Sequence, residues 1–134
     1  MPDLLNNLAM AYDLQGRHED AVALTRQIHD RHPDYLFARV ALAKLHLQKR
    51  EITEARALLD PLLTRKRWHF SEYAAFCGAQ IELSLAEGNR EAAQSWLDMW
   101  ANVDPDHPGL EAYRSRLGRS GRLKNVFRRG TRPR

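Results

Sequence analysis

The stretch from Leu8 to Ile28 returns 34 positions later with its side-chain sizes kept. Leu8 falls on Leu42, Ala9 on Ala43, Tyr12 on His46, Ala21 on Ala55 and Ile28 on Leu62. A further shift of 38 places Ala93 on Ala55, Leu97 on Leu59 and Pro105 on the position of Arg67, so a third unit keeps its second half in register. A period of this length narrows the fold sharply, because each unit is a small piece of helix or strand that buries its apolar face only against the next.

Spacing within a unit selects helices. Leu5, Leu8, Ala9 and Tyr12 recur at three- and four-residue intervals, Gly16 ends that helix, Ala21, Leu24 and Ile28 form the stripe of a second, and Pro33 stops it. The second unit repeats the scheme with Leu42, Ala43, Leu45 and His46, a turn near Arg50, then Ala55, Leu58, Leu59 and Leu62. Pro61 predicts a kinked or shortened helix there, since it lacks a backbone donor and crowds the carbonyl of Ala57. The third unit runs from about Ser71 to Glu87, turns at Gly88 and resumes through Ala93, Leu97 and Trp100. Ala21, Ala55 and Ala93 mark the places where the two helices of a pair cross closely. In "DHPGLEAYRSRLG", Pro108 suits a first turn and Leu110, Tyr113 and Leu117 share one stripe, which predicts a seventh helix ending at Gly118.

These residues resemble the tetratricopeptide repeat family, with its period of 34 and its pattern Trp-x2-Leu-Gly-x2-Tyr, Ala-x3-Phe and Pro. The matching residues are Leu5, Leu8, Ala9, Tyr12, Ala21, Thr25 and Pro33. The resemblance covers about residues 2 to 105. It implies an all-α, right-handed superhelical stack of helix-turn-helix repeats, an α-solenoid, with repeats at about 2–35, 36–69 and 71–106. A capping helix at about 107–117 would complete a domain spanning 1–118, and 119–134 would be a basic tail. Four departures stand out: Arg39 at a large apolar position, Arg50 at the turn glycine, Arg67 at the terminal proline, and four extra residues before the third unit.

Stacked repeats curve, and the concave face lined by the first helix of each pair is a groove for an extended peptide or a helix of another protein. By the resemblance, the groove positions are Asn6, Asn7, Met10 and Asp13 in the first unit and Phe37, Val40, Ala41, Lys44 and Gln48 in the second. Asn7 carries an amide able to donate to and accept from a peptide backbone, or to hydrogen-bond the neighbouring helix instead. Phe37 and Val40 fit either a groove or a core position. Some family members grip the C-terminal carboxylate of chaperone peptides with Lys and Asn in the first unit and Asn in the second. Asn6, Met10 and Ala41 stand there in this chain, so that clamp is missing.

Charge divides the chain. Met1 to Tyr113 holds 12 Lys+Arg against 17 Asp+Glu, and Arg114 to Arg134 holds 9 Lys+Arg and no acid. In "GRLKNVFRRGTRPR", Arg119, Arg122, Lys124, Arg128 and Arg129 surround Leu123, Val126 and Phe127. Such a segment meets acidic protein, nucleic acid or an anionic membrane, an alternative in which the repeats act as a spacer. Cys77 is the one cysteine, which excludes an intrachain disulfide and fits a reducing, cytoplasmic setting. His29 and His32 have helical ligand spacing without an evident third ligand. No glycine-rich phosphate loop, nucleophile elbow or paired-carboxylate signature is present, so no catalytic, cofactor or metal residue is expected and the chain reads as a non-enzymatic scaffold. Trp96 and Trp100, four residues apart, fit core packing; exposed, they would promote self-association through the end of the stack.

Overall fold

The computed structural model describes residues 1–118. Among them seven α-helices follow one another: α1 (Pro2–Leu14), α2 (His18–Arg31), α3 (Leu36–Gln48), α4 (Ile52–Leu59), α5 (Phe70–Ala86), α6 (Arg90–Val103) and α7 (109–118). The described residues contain no strand and no helix long and apolar enough to cross a membrane. Contacts join sequence neighbours, α1 to α2, α2 to α3 and so on, together with α3 to α5, which is the contact pattern of stacked hairpins.

The repeat is visible in the backbone of the turns. Gly16, Arg50 and Gly88 all have left-handed φ, at 80°, 63° and 76°. In each case the following N–H reaches back five residues: Arg17 to Tyr12, Glu51 to His46 and Asn89 to Ser84, all at 2.8 Å. This 6→1 closure satisfies a carbonyl at the helix end and turns the chain into the second helix. Glycine adopts that φ without penalty, whereas a side chain there costs about 1 kcal/mol. Arg50→Gly is therefore expected to stabilise the fold by about 1 kcal/mol in a urea titration, less whatever the long 3.4 Å bond from the Arg50 guanidinium to the Ala86 carbonyl contributes.

The small residues at the crossings, Ala21, Ala55 and Ala93, are all buried, as are Ala9 and Ala43 opposite them. Thr25, standing where the family pattern has Phe, is buried too, and its hydroxyl donates to the Ala21 carbonyl at 2.8 Å, which leaves no unmet polar group. Pro61 acts as expected. α4 stops at Leu59, and the chain continues as a 3-10 turn over Asp60–Thr64 that still delivers Leu62 to the core. The missing N–H at residue 61 removes the bond to Ala57, and the tighter winding is the local solution.

The extra residues before the third unit form an extended connector over 65–69. Trp68 folds inward from it, its indole N–H donating to the Arg65 carbonyl at 3.0 Å. His69 then caps α5 in a reciprocal box with Glu72. Arg39 occupies its large-apolar position half-buried and satisfied, its guanidinium donating to the carbonyls of Pro33 (2.6 Å) and Leu58 (3.0 Å).

Two apolar clusters share α5. Phe76, Ala79 and Leu83 pack against Leu36, Val40, Ala43, Leu47, Ala55, Leu59 and Leu62, whereas Ala74, Cys77 and Ile81 pack against Ala93, Leu97, Trp100, Leu110 and Leu117. A helix covered on two sides must be apolar on most of its circumference. Trp100 is buried and Trp96 half-buried, so both serve the interior rather than a surface for self-association.

One expectation changes. Leu8, placed in the apolar stripe of the first helix, is 42% exposed, whereas its equivalent Leu42 is buried where α3 packs on the preceding hairpin; no described element covers α1 in the same way. Leu4 and Leu14 are bare on the same helix, at 66% and 89%. Gly118, the expected end of the seventh helix, is helical and is the last residue described.

Cys77 is buried beneath α6 and α7. Burial pushes its thiol up from 9.0 to about 11, against a smaller lowering by a hydrogen bond with Tyr73. The neutral thiol is the form the fold prefers, so its contribution is intact below pH 9 and is lost as the pH rises toward 11. Cys77→Ser should flatten the part of the stability profile between those limits that this thiol causes. At pH 8, iodoacetamide should alkylate the native chain far more slowly than the urea-unfolded chain, as mass spectrometry would show.

Candidate functional site: a trough across the first helices of the hairpins

Two adjoining hollows mark the concave side. One, of about 260 Å³, is lined by Asn6, Ala9, Met10 and Asp13 of α1, Ala21, Val22 and Thr25 of α2, and Ala41, Lys44, Leu45 and Gln48 of α3. The other, of about 370 Å³, is lined by Lys44, Leu47 and Gln48 of α3, Arg50 of the turn, Glu82, Leu85 and Ala86 of α5, and Arg116 of α7. Lys44 and Gln48 belong to both, so the hollows form one trough crossing α1, α3 and α5. The geometry follows from the stack: the first helix of each hairpin turns one face to its partner, one to each neighbouring hairpin, and one inward to the trough.

Most polar groups of the trough are already engaged. Asp13 pairs with His18, Arg116 with Glu82 at 2.7 Å, and the Arg50 guanidinium donates to the Ala86 carbonyl at 3.4 Å. Lys44 and Tyr113 converge over Gly78 of α5. A Cβ on that glycine would lie 3.8 Å from the Lys44 ammonium and 3.5 Å from the Tyr113 hydroxyl, and the phenol donates to the Gly78 carbonyl at 3.4 Å. Burial, followed by the Glu82 carboxylate, pushes the Tyr113 phenol up to about 12 despite Arg116, so it remains a neutral hydrogen-bond donor through the ordinary pH range.

The structure brings Asn6, Met10, Asp13, Ala41, Lys44 and Gln48 together in the trough. Asn7 is exposed and is not among the lining residues. Val40 is 5% exposed and lies in the apolar cluster between α3 and α5. Phe37 packs half-buried against the same cluster, with its ring 5.7 Å from that of Tyr35. Both residues therefore take the core alternative, because α3 has a neighbour on that side. Glu82, Leu85, Ala86, Arg50 and Arg116 line the trough without having been anticipated. For two of them a signal existed: the 38-residue shift that aligns the third unit carries Lys44 onto Glu82 and Gln48 onto Ala86. The basic-tail residues Arg119, Arg122, Lys124, Arg128 and Arg129 lie outside the described residues. Among the described residues no three His, Cys, Asp or Glu side chains converge as a metal site requires.

No curated protein and no solved structure matches the chain. A family model described as tetratricopeptide repeat matches residues 14–79, from the last residue of α1 into the middle of α5. The match, the three equivalent left-handed turns and the buried alanines at the crossings agree, and residues 14–79 are identified as a segment of the tetratricopeptide repeat family.

Proposed function

We propose that this protein is a non-enzymatic adaptor that holds an extended peptide or a helix of another protein in the trough across α1, α3 and α5. Tetratricopeptide repeats are in general protein-interaction modules. The observation that carries the reading here is the continuity of the two hollows through Lys44 and Gln48, which offers one binding surface spanning three helices. A photo-crosslinking residue at position 10, in the trough, is expected to give discrete protein adducts in lysate. These should vanish when Ala41→Arg fills the trough. Equal adducts from the same crosslinker at the exposed α4 position of Glu54 would count against the groove.

A second reading draws on the charge imbalance, with nine basic residues and no acid from Arg114 onward. In that reading the tail attaches the protein to nucleic acid or an anionic surface. Phosphate contacts weaken steeply with salt, so binding lost both in high salt and on truncation after Leu117 would favour it over the trough.

A further inference from the structure

The trough changes chemistry along its length. Its α1–α3 half is largely apolar, with Ala9, Met10, Ala41 and Leu45, whereas its α3–α5–α7 half carries Lys44, Arg50 and Arg116 around one carboxylate, Glu82. Both carboxylates of the trough are spoken for, Glu82 by Arg116 and Asp13 by His18. Lys44, at the seam between the halves, is half-buried and makes no hydrogen bond or ion pair among the described residues. A partly desolvated ammonium without a counter-charge is destabilising, and an arriving carboxylate relieves it. The Tyr113 hydroxyl shares the neighbourhood of Gly78 with the ammonium, and its bond to the Gly78 carbonyl is long, at 3.4 Å. A basic segment would find no free carboxylate among the trough residues and would meet Lys44.

We propose that the occupant is an amphipathic segment of another protein, its acidic side chain on Lys44 beside Tyr113 and a neighbouring apolar side chain in the Met10–Ala41–Leu45 half. This deepens the groove reading and rests on it. Charge complementarity at one seam residue sets specificity, and the apolar half supplies contact area.

The test is to pan a displayed random peptide library on the full chain and to measure affinities of synthetic copies of the enriched peptides. The expected pool carries Asp or Glu next to an apolar residue. Lys44→Met should weaken these peptides about tenfold, Lys44→Glu should weaken them further, and a pool selected on Lys44→Glu should turn to Lys or Arg. Circular dichroism confirms that each variant is folded. A pool without acidic bias, or acidic peptides that bind Lys44→Glu as tightly as the wild type, overturns the inference; the second result would mean that they are held elsewhere. In either case, loss of binding in Met10→Lys leaves the groove reading standing, whereas binding indifferent to Met10→Lys, or an empty pool, removes both.

Discussion

Replacing Phe76 by alanine will lower the unfolding free energy by about 3–5 kcal/mol, the usual range for deleting a fully buried aromatic side chain. The ring is buried on α5, 5.0 Å from Trp68 and 5.5 Å from Trp96, with which it makes an edge-on contact at 89°. Neither neighbour is free to close the gap. Trp68 is tied to the Arg65 carbonyl, and Trp96 is carried by α6, which packs against α5 as its hairpin partner. The cavity should therefore persist and the loss fall in the upper part of the range. Phe76 also lies in the cluster that joins the second hairpin to α5. All three tryptophans are at position 68 or beyond, so tryptophan fluorescence reports the C-terminal part while far-UV circular dichroism reports every helix. In the wild type the two denaturation curves should coincide; in Phe76→Ala they should separate. A loss below about 1 kcal/mol with curves still superimposed would show that the hairpins are coupled elsewhere.

Trp100→Ala should cost a similar amount, about 3–5 kcal/mol, by a different route. Trp100 is the seat of α7: its ring lies 5.1 Å from that of His107 and 6.0 Å from that of Tyr113, and its outermost carbon is close enough to Gly109 that a Cβ there would sit 3.1 Å away. Without the indole, α7 loses its main support on α6, where the bond from Arg90 to the Leu117 carbonyl at 2.9 Å remains, and is left to its contacts with α5 through Arg116–Glu82 and Tyr113–Gly78. Arg114 and Arg116 are already exposed, but undocking would let α7 unwind and open its backbone to trypsin, so cleavage after these residues should accelerate well before the rest of the chain unfolds. Trp100→Phe should behave quite differently. The buried indole N–H has no acceptor among the described residues, so phenylalanine removes an unmet donor while keeping most of the contact area. If the alanine and phenylalanine variants lose equal stability, the seat is not Trp100.

Much of this architecture could be read from the sequence because the repeat is local. Glycine at 16 and 88, alanine at 21, 55 and 93, and proline at 61 each act within a few residues of their own position, and each did so in the structure. Arg50 was legible as the turn of the second unit only through the period, since arginine itself carries no turn signal. What could not be read depended on which neighbour covers which face. Val40 and Lys44 are one helical turn apart on α3, yet one is in the core and the other in the trough. Spacing alone assigns both to adjoining strips of one helix and does not say where α5 lies. Trp68 escaped for another reason: it belongs to an irregular connector, and a side chain that folds inward from such a segment leaves no periodicity. Arg116 reaches the trough from α7 only because that helix packs back on α5.

The bare outer face of α1 has a kinetic meaning. Leu4, Leu8 and Leu14 gain only part of what full burial would give, and a link from α1 beyond its own hairpin is the bond from Tyr35 to Asp3 at 2.7 Å. α5, by contrast, is held from both sides. Amide protons of α1 will therefore exchange first and those of α5 last, a gradient of opening along the chain. Because α1 is one wall of the apolar half of the trough, each such opening loosens that half while Lys44, Glu82 and Arg116 keep their places. A bound segment would then leave by peeling, apolar end first, with its release rate set by how often α1 lifts.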